Sequence, residues 1–439
     1  MKRTTRRRFI ASGAAVGAIT IAGCADEDPE PEPEETPEDD ETPTETEEEE
    51  ADVFEAGYEI WAADQGTDTV YIYEPADDSG EEYDLLDEID TGAEGGHVPH
   101  MADYSSDYEY VAIPCTTGAR TLIYRAEDRE LVANLETGAG SHFAGFGPND
   151  EYIHVDVIGE SEIVRVDVDL ENEEFEIVDE IEVLEDETVQ EAGIESGSPI
   201  CHSYDKSGRS IHTMGPAYDD GSLVIVDHEE FEVDTAFPHE ELPTNCGTMP
   251  HVTEDTFYLT AGNPTPTDDD GNVIEEQEDE AVGEYYVLDT ENDEVIHNES
   301  TRGVDAHGFW FTPDGEELWV LNRETNDGVV VDPDTHEVVD EIDAFGPATA
   351  PDPDERDAPD IFWGSPDGEY MFVTLRGPEP QSGDPHAATG VNPGFAVIDT
   401  DTHDIVTTVQ PDPDNDESDL HGIGVRPTRE YDGFNLPPF

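Results

Sequence analysis

The sequence predicts an all-β protein: a seven-bladed β-propeller of four-stranded antiparallel blades, closed by pairing of its N- and C-terminal strands. Three observations carry this expectation. A two-hairpin unit recurs along the chain, and four antiparallel strands in about 45 residues make one propeller blade. Its turns hold the Pro, Asp and Gly that tight reversals need. Matching half-units stand at the two termini, which a pair of β-sandwiches would not leave.

Residues 1–24 read as an export address. Thr5-Arg6-Arg7-Arg8-Phe9-Ile10 resembles a twin-arginine motif, with Arg6 and Arg7 as its signal pair. The apolar stretch from Ala11 to Ala22 is too short to span a bilayer. It ends in Ile21-Ala22-Gly23-Cys24, similar to a lipobox, so Cys24 is the expected lipidation site. The alternative is a basic N-terminal anchor helix. This address implies a protein tethered by its lipid to the outer face of the cell membrane. Twin-arginine export carries folded proteins, which permits a metal to be loaded beforehand. Residues 25–52 are almost entirely Glu, Asp, Pro and Thr. Such a segment buries no core and repels itself, so a disordered acidic stalk is expected.

The propeller is expected over residues 53–439. Its clearest units are Asp305–Asn322 and Pro359–Thr374, each an apolar strand, a Pro-Asp-Gly turn and a fuller second strand. A second hairpin follows each, Gly328–Val339 and Gly394–Val406. Earlier units open at His100, Ser141, Ser198 and Thr248. Leu420–Pro427 is an innermost strand with no blade after it, while Tyr58–Ala62 and Val70–Tyr73 lack one before them. Joined, they make the seventh sheet. The Pro-Asp-Gly turn, aromatic-rich strand and Val-Ile-Asp-Thr-x-Thr run resemble the YVTN-type surface-layer propellers over residues 57–427.

The formal net charge is −97, from 114 acidic against 17 basic residues. Nucleic acid is excluded as a partner, because phosphate binding needs clustered Lys and Arg. A charge of this size makes a compact chain repel itself, and molar salt shortens the screening length to about 3 Å. The composition therefore reads as halophilic.

Long insertions at Gly262–Gly283 and Arg376–Gly394, and the links 185–198 and 345–359, fall on one face of the ring, where the innermost strands begin. Elaborated loops on a rigid scaffold mark the functional face, and a protein partner is expected there. Six residues before the turn proline stand His307, His142 and His421, with His100 at the matching place and Asp360 in blade seven. His202 and His251 open the shorter innermost strands of blades four and five. One such His is ordinarily a hydrogen-bonded core residue; six in register point to convergent neutral imidazoles, the donor set of zinc or copper. His97, His386, Cys201 and Cys246 are additional candidate ligands, and Cys115 lies near the same rim. Cys201 and Cys246 alternatively pair as a disulfide. Arg323 and Arg376 match each other at second-strand ends, as anion ligands or as salt-bridge partners between blades. His336 and His403 repeat in the lower turns and carry no assigned function.

The histidine ring is similar to that of two propeller families. In nitrous oxide reductase, inner-strand histidines hold a copper–sulfide cluster; propeller-type periplasmic zinc chaperones are the second resemblance. The chain shows no Gly-x-Ser-x-Gly nucleophile motif and no phosphate loop. The expected function is metal capture or delivery, without catalysis. The rivals are a metal-free surface propeller binding protein or glycan, and a metal-dependent oxidoreductase or lactonase-like hydrolase.

Overall fold

In a computed structural model, the described residues are 56–431, apart from 78, 267–273, 275, 276, 278, 279, 382–388 and 414. Arg6, Arg7, Cys24, the 25–52 stalk and His386 lie outside them. The described chain forms seven four-stranded antiparallel sheets. Blade one joins the termini: Leu420–Pro427 is its innermost strand, followed outward by Tyr58–Asp64, Thr69–Pro75 and Tyr83–Asp90. The pair Ile60↔Val425 sits in this seam, so the ring closes through backbone hydrogen bonds between chain ends. The shared blade fastens the first and last parts of the chain into one sheet, while each blade keeps its own outer edge strand.

Blades two to seven follow in chain order. Their innermost strands are Asp103–Tyr104, Ser141–Phe146, Ser198–Tyr204, Thr248–Pro250, Ala306–Phe311 and Pro359–Gly364. The second strands are apolar and buried, as Tyr152–Val157 and Leu318–Asn322 show, because they pack between neighbouring blades on both faces. Trp61, Trp319 and Phe372 are fully buried there. At the Pro-Asp-Gly turns Gly315 and Gly368 take φ of 72° and 84°, which side-chain-bearing residues rarely adopt.

The outermost strands look different. Glu174–Glu182 reads Glu-Phe-Glu-Ile-Val-Asp-Glu-Ile-Glu and is largely exposed. In every blade the pairing of third and fourth strands shifts register once, for example between Ile72 and Tyr73 or between Val330 and Val331. Such bulges and the dense negative charge both discourage edge-to-edge pairing. An α-helix, Glu187–Ala192, lies in the link between blades three and four. Asp186 caps it, accepting from the backbone N–H of Thr188 and Val189, and Val189 is buried.

Candidate metal centre

Counting back from the lower turn, the seven innermost strands and, in blades two and five, the residues leading into them place one residue each at a common level: His421, His100, His142, Ile200, Cys246, His307 and Asp360. The rings converge on the pore axis. His100 lies 3.6 Å from His142 and 3.7 Å from His421 between ring centroids, and His307 is 6.4 Å from His421. His307 Nε2 stands 2.9 Å from Asp360 Oδ1, and His421 Nε2 stands 3.4 Å from Asp360 Oδ2.

Close approach of the strands makes this convergence possible. A Cβ on Gly308 would lie 2.4 Å from the Asp360 carbonyl, on Gly422 2.3 Å from that of His100, and on Gly247 2.7 Å from that of His307. Threonines fasten the same level: Thr374 Oγ1 donates to the carbonyl of His421 at 2.6 Å, Thr260 to His307 at 2.7 Å and Thr213 to Cys246 at 2.6 Å. Each hydroxyl reaches the next blade, so the level of the ring is set by contacts between sheets.

Two of the six expected histidines stand elsewhere. The register shift that brackets His142 in blade three, His307 in blade six and Asp360 in blade seven falls in blade four between Pro199 and Cys201, on Ile200, and the strand runs on to Tyr204. His202 therefore sits two residues below the ring, and Ile200 takes the place expected for it. His251 follows the short strand Thr248–Pro250 and lies at the lower edge beside Tyr258 and Phe311. Its Nδ1 accepts from the backbone N–H of Thr253 and Glu254. Cys246 holds the column in blade five, with Sγ 2.6 Å from His307 Nδ1. His97 is at the surface, 2.7 Å from Asp68. Cys115, Cys201 and Cys246 are not joined in a disulfide, so the alternative Cys201–Cys246 pairing is not realised.

The ring is charged by a buried ionic cluster. Arg376 donates to both oxygens of Asp419 at 2.8 Å and to Asp360 Oδ2 at 2.7 Å. Arg323 donates to Asp305 at 2.8 Å and lies 3.6 Å from Asp360 Oδ1. The salt-bridge reading of these arginines is the one realised. Three carboxylates against two guanidiniums leave one negative charge, and such a balance favours a cation among the imidazoles. Burial alone would raise the Asp360 carboxyl, but its interactions with His421, His307 and the Arg376 guanidinium outweigh it and hold it well below the usual range. Burial, helped by Arg376, His142 and His307, lowers His421 to about 3 against the pull of Asp360. Its ring is neutral near pH 7 and keeps a lone pair on one nitrogen.

The donor set fits a metal. Asp360 Oδ1 accepts no aligned hydrogen bond although His307 Nε2 is 2.9 Å away. Bonds of about 2.0–2.1 Å in a tetrahedron put two donors about 3.3 Å apart, which the 2.9 and 3.4 Å separations bracket. His307, Asp360 and His421 each bring a ligand atom within 4.8 Å of the others.

A second group, Asp156, His202 and His212, meets the same criterion, and here sequence reasoning missed two members. Asp156 bonds His202 Nδ1 at 2.7 Å and His212 Nδ1 at 2.6 Å; His212 Nε2 bonds Ser210 Oγ, which also bonds His154. The signal was present: His154, Asp156 and His212 interrupt second strands that are otherwise apolar. Both Asp156 oxygens are committed to imidazole, so this group orients His202 rather than presenting an open donor set.

Fold and site together define a seven-bladed propeller with a His/Asp cluster on its axis. No protein-family model matches the chain, and no curated protein matches it. Solved structures do. The periplasmic gluconolactonase PpgL of Pseudomonas aeruginosa matches with a TM-score of 0.58 at 12% identity, over 85% of this chain and 99% of that one. The dihydro-heme d1 dehydrogenase NirN, solved in complex with DHE, gives 0.49 at 11% identity over 84% and 76%. Hydrazine synthase of Kuenenia stuttgartiensis gives 0.47 at 12% over 69% and 77%. At such identities the likeness to PpgL establishes the fold alone.

Proposed function

We propose that this chain is a metal-binding propeller that captures or delivers zinc or copper at the axial cluster. The ligands are drawn from His307, His421 and Asp360, with His100, His142 and Cys246 within the same ring. One observation carries the reading: ligand atoms of two imidazoles and a carboxylate from blades six, one and seven lie within 4.8 Å of one another. Neutral imidazole suits either metal, and the Cys246 thiol adds a soft donor that favours zinc or copper over magnesium or calcium. In the same proposal Arg6 and Arg7 direct twin-arginine export and a lipid on Cys24 anchors the protein outside the cell. The loop-rich upper face then meets a protein that supplies or accepts the metal, a role resembling the periplasmic zinc chaperones.

Metal analysis of the salt-folded protein tests this. About one zinc or copper per chain is expected after loading and removal of free metal by buffer exchange in molar NaCl, and it is lost in the His307→Ala/His421→Ala variant. A wild-type protein that retains no metal, or a double variant that retains it fully, overturns the reading.

A further inference from the structure

Below the histidine ring the pore widens into a cavity of about 110 Å³. Six of the seven innermost strands contribute to it. Its walls are aromatic: Phe143, Phe309 and Phe362 line it with Trp310 and Trp363, whose rings stack with centroids 4.4 Å apart. No Lys or Arg is among its lining residues. What polar character it has is that of an acceptor. Asp103 lines the wall with no basic residue hydrogen-bonded to it, one oxygen accepting from the backbone N–H of Phe146 at 2.8 Å. Burial pushes its carboxyl up to about 7 against the smaller pull of the Phe146 N–H and of His202.

His202 adds a second acceptor. Asp156 accepts from its Nδ1, which fixes the tautomer and leaves the lone pair on Nε2. That Nε2 is buried and has no hydrogen-bond partner. It lies against Gly145, where a Cβ would meet it at 2.9 Å, and Gly145 itself lines the cavity. A buried nitrogen without a partner is costly to leave so, and the glycine keeps the path to it open. The positions of Gly145 and His202 thus point the same way as the carboxylate.

We propose that this lower cavity is a binding site for a small alkylammonium cation carrying an N–H. Aromatic faces attract such an ion through their quadrupoles, most strongly where water is excluded. The N–H is donated to His202 Nε2 or Asp103, and the alkyl groups fill the aromatic wall. A neutral apolar guest of the same shape would leave both acceptors unsatisfied, and an anion would meet Asp103. The site is separate from the metal centre and does not rest on it.

Trimethylammonium and tert-butanol each carry three methyl groups and one hydrogen-bond donor and differ in charge, so titrating each into the full chain in molar NaCl at about pH 8, above the Asp103 value, read by Trp fluorescence, tests the proposal. Trimethylammonium is expected to bind at least tenfold more tightly than tert-butanol. Tetramethylammonium, which has no N–H, falls between them. Asp103→Asn is expected to cut the preference for trimethylammonium by about tenfold, whereas His307→Ala/His421→Ala leaves it unchanged. Equal affinity for the cation and the alcohol, no binding of the cation, or a preference untouched by Asp103→Asn each overturns it.

Discussion

Replacing Arg376 by Met separates the cost of the ionic cluster from its effect on a metal, and the two shifts run in opposite directions. Arg376 is fully buried and ties blade seven to blade one through Asp360, Asp419 and Gln65. Removing one partner of a buried ion pair costs about 3–5 kcal/mol. Asp419 still accepts from the backbone N–H of Gly377 at 3.0 Å and Gln381 at 2.7 Å, which puts the expected loss at the lower end, about 3 kcal/mol. The guanidinium is 2.7 Å from Asp360 Oδ2, so an ion bound to that carboxylate would lie about 5 Å from its charge. At an effective dielectric of about 20, a divalent ion is repelled there by about 7 kcal/mol. A fifth of that is a factor of ten in affinity. Denaturant unfolding of the metal-free protein in molar salt, with chelator competition for zinc affinity, reads both. Arg376→Met is expected to unfold about 3 kcal/mol more easily and to bind zinc at least ~tenfold more tightly. A stability change under about 1 kcal/mol, or a weaker zinc affinity, refutes the reasoning.

Gly308→Ala places a methyl 2.4 Å from the Asp360 carbonyl; a loss of about 1–3 kcal/mol in thermal or denaturant unfolding is expected, with weaker metal retention. Burial lowers His154 and His212 below the usual imidazole range, so the unfolded chain binds protons that the folded one refuses. Their contribution is complete above about pH 6.5 and falls as pH drops below it; unfolding midpoints from pH 7.5 to 5 should show this slope, flattened in His154→Phe. The net charge of −97 predicts loss of folded circular dichroism on dialysis from molar to about 0.1 M salt, as the screening length grows to about 10 Å.

Much of the ring could be read from the sequence because its turn prolines hold the register. Pro313, Pro148 and Pro427 each stand six residues past a histidine that the structure brings to the axis. His-Gly at 307–308 and 421–422 marks where strands must approach. The count fails where that ruler is missing: blades four and five have no such proline, and in blade four the register shift that elsewhere brackets the ring residue falls on Ile200, two residues before His202. Cys246 reads in the sequence as a soft donor near the rim, and only the packing of blade four's Thr213 on its carbonyl shows that it holds a histidine's place. The role of Asp360 depends on Arg376 and Arg323, whose side chains meet it from two blades, and nothing in local spacing announces that. The Asp156 group was hidden for a similar reason, since its members belong to different blades and become neighbours only when the sheets pack.

X-ray absorption at the metal edge of zinc-loaded, salt-folded protein tests the central claim most directly. The account predicts one zinc per chain in a first shell of N, O or S donors near 2.0–2.3 Å, with the multiple-scattering signature of at least two imidazoles. An oxygen-only shell of water and surface carboxylates, with no imidazole scattering, would contradict it.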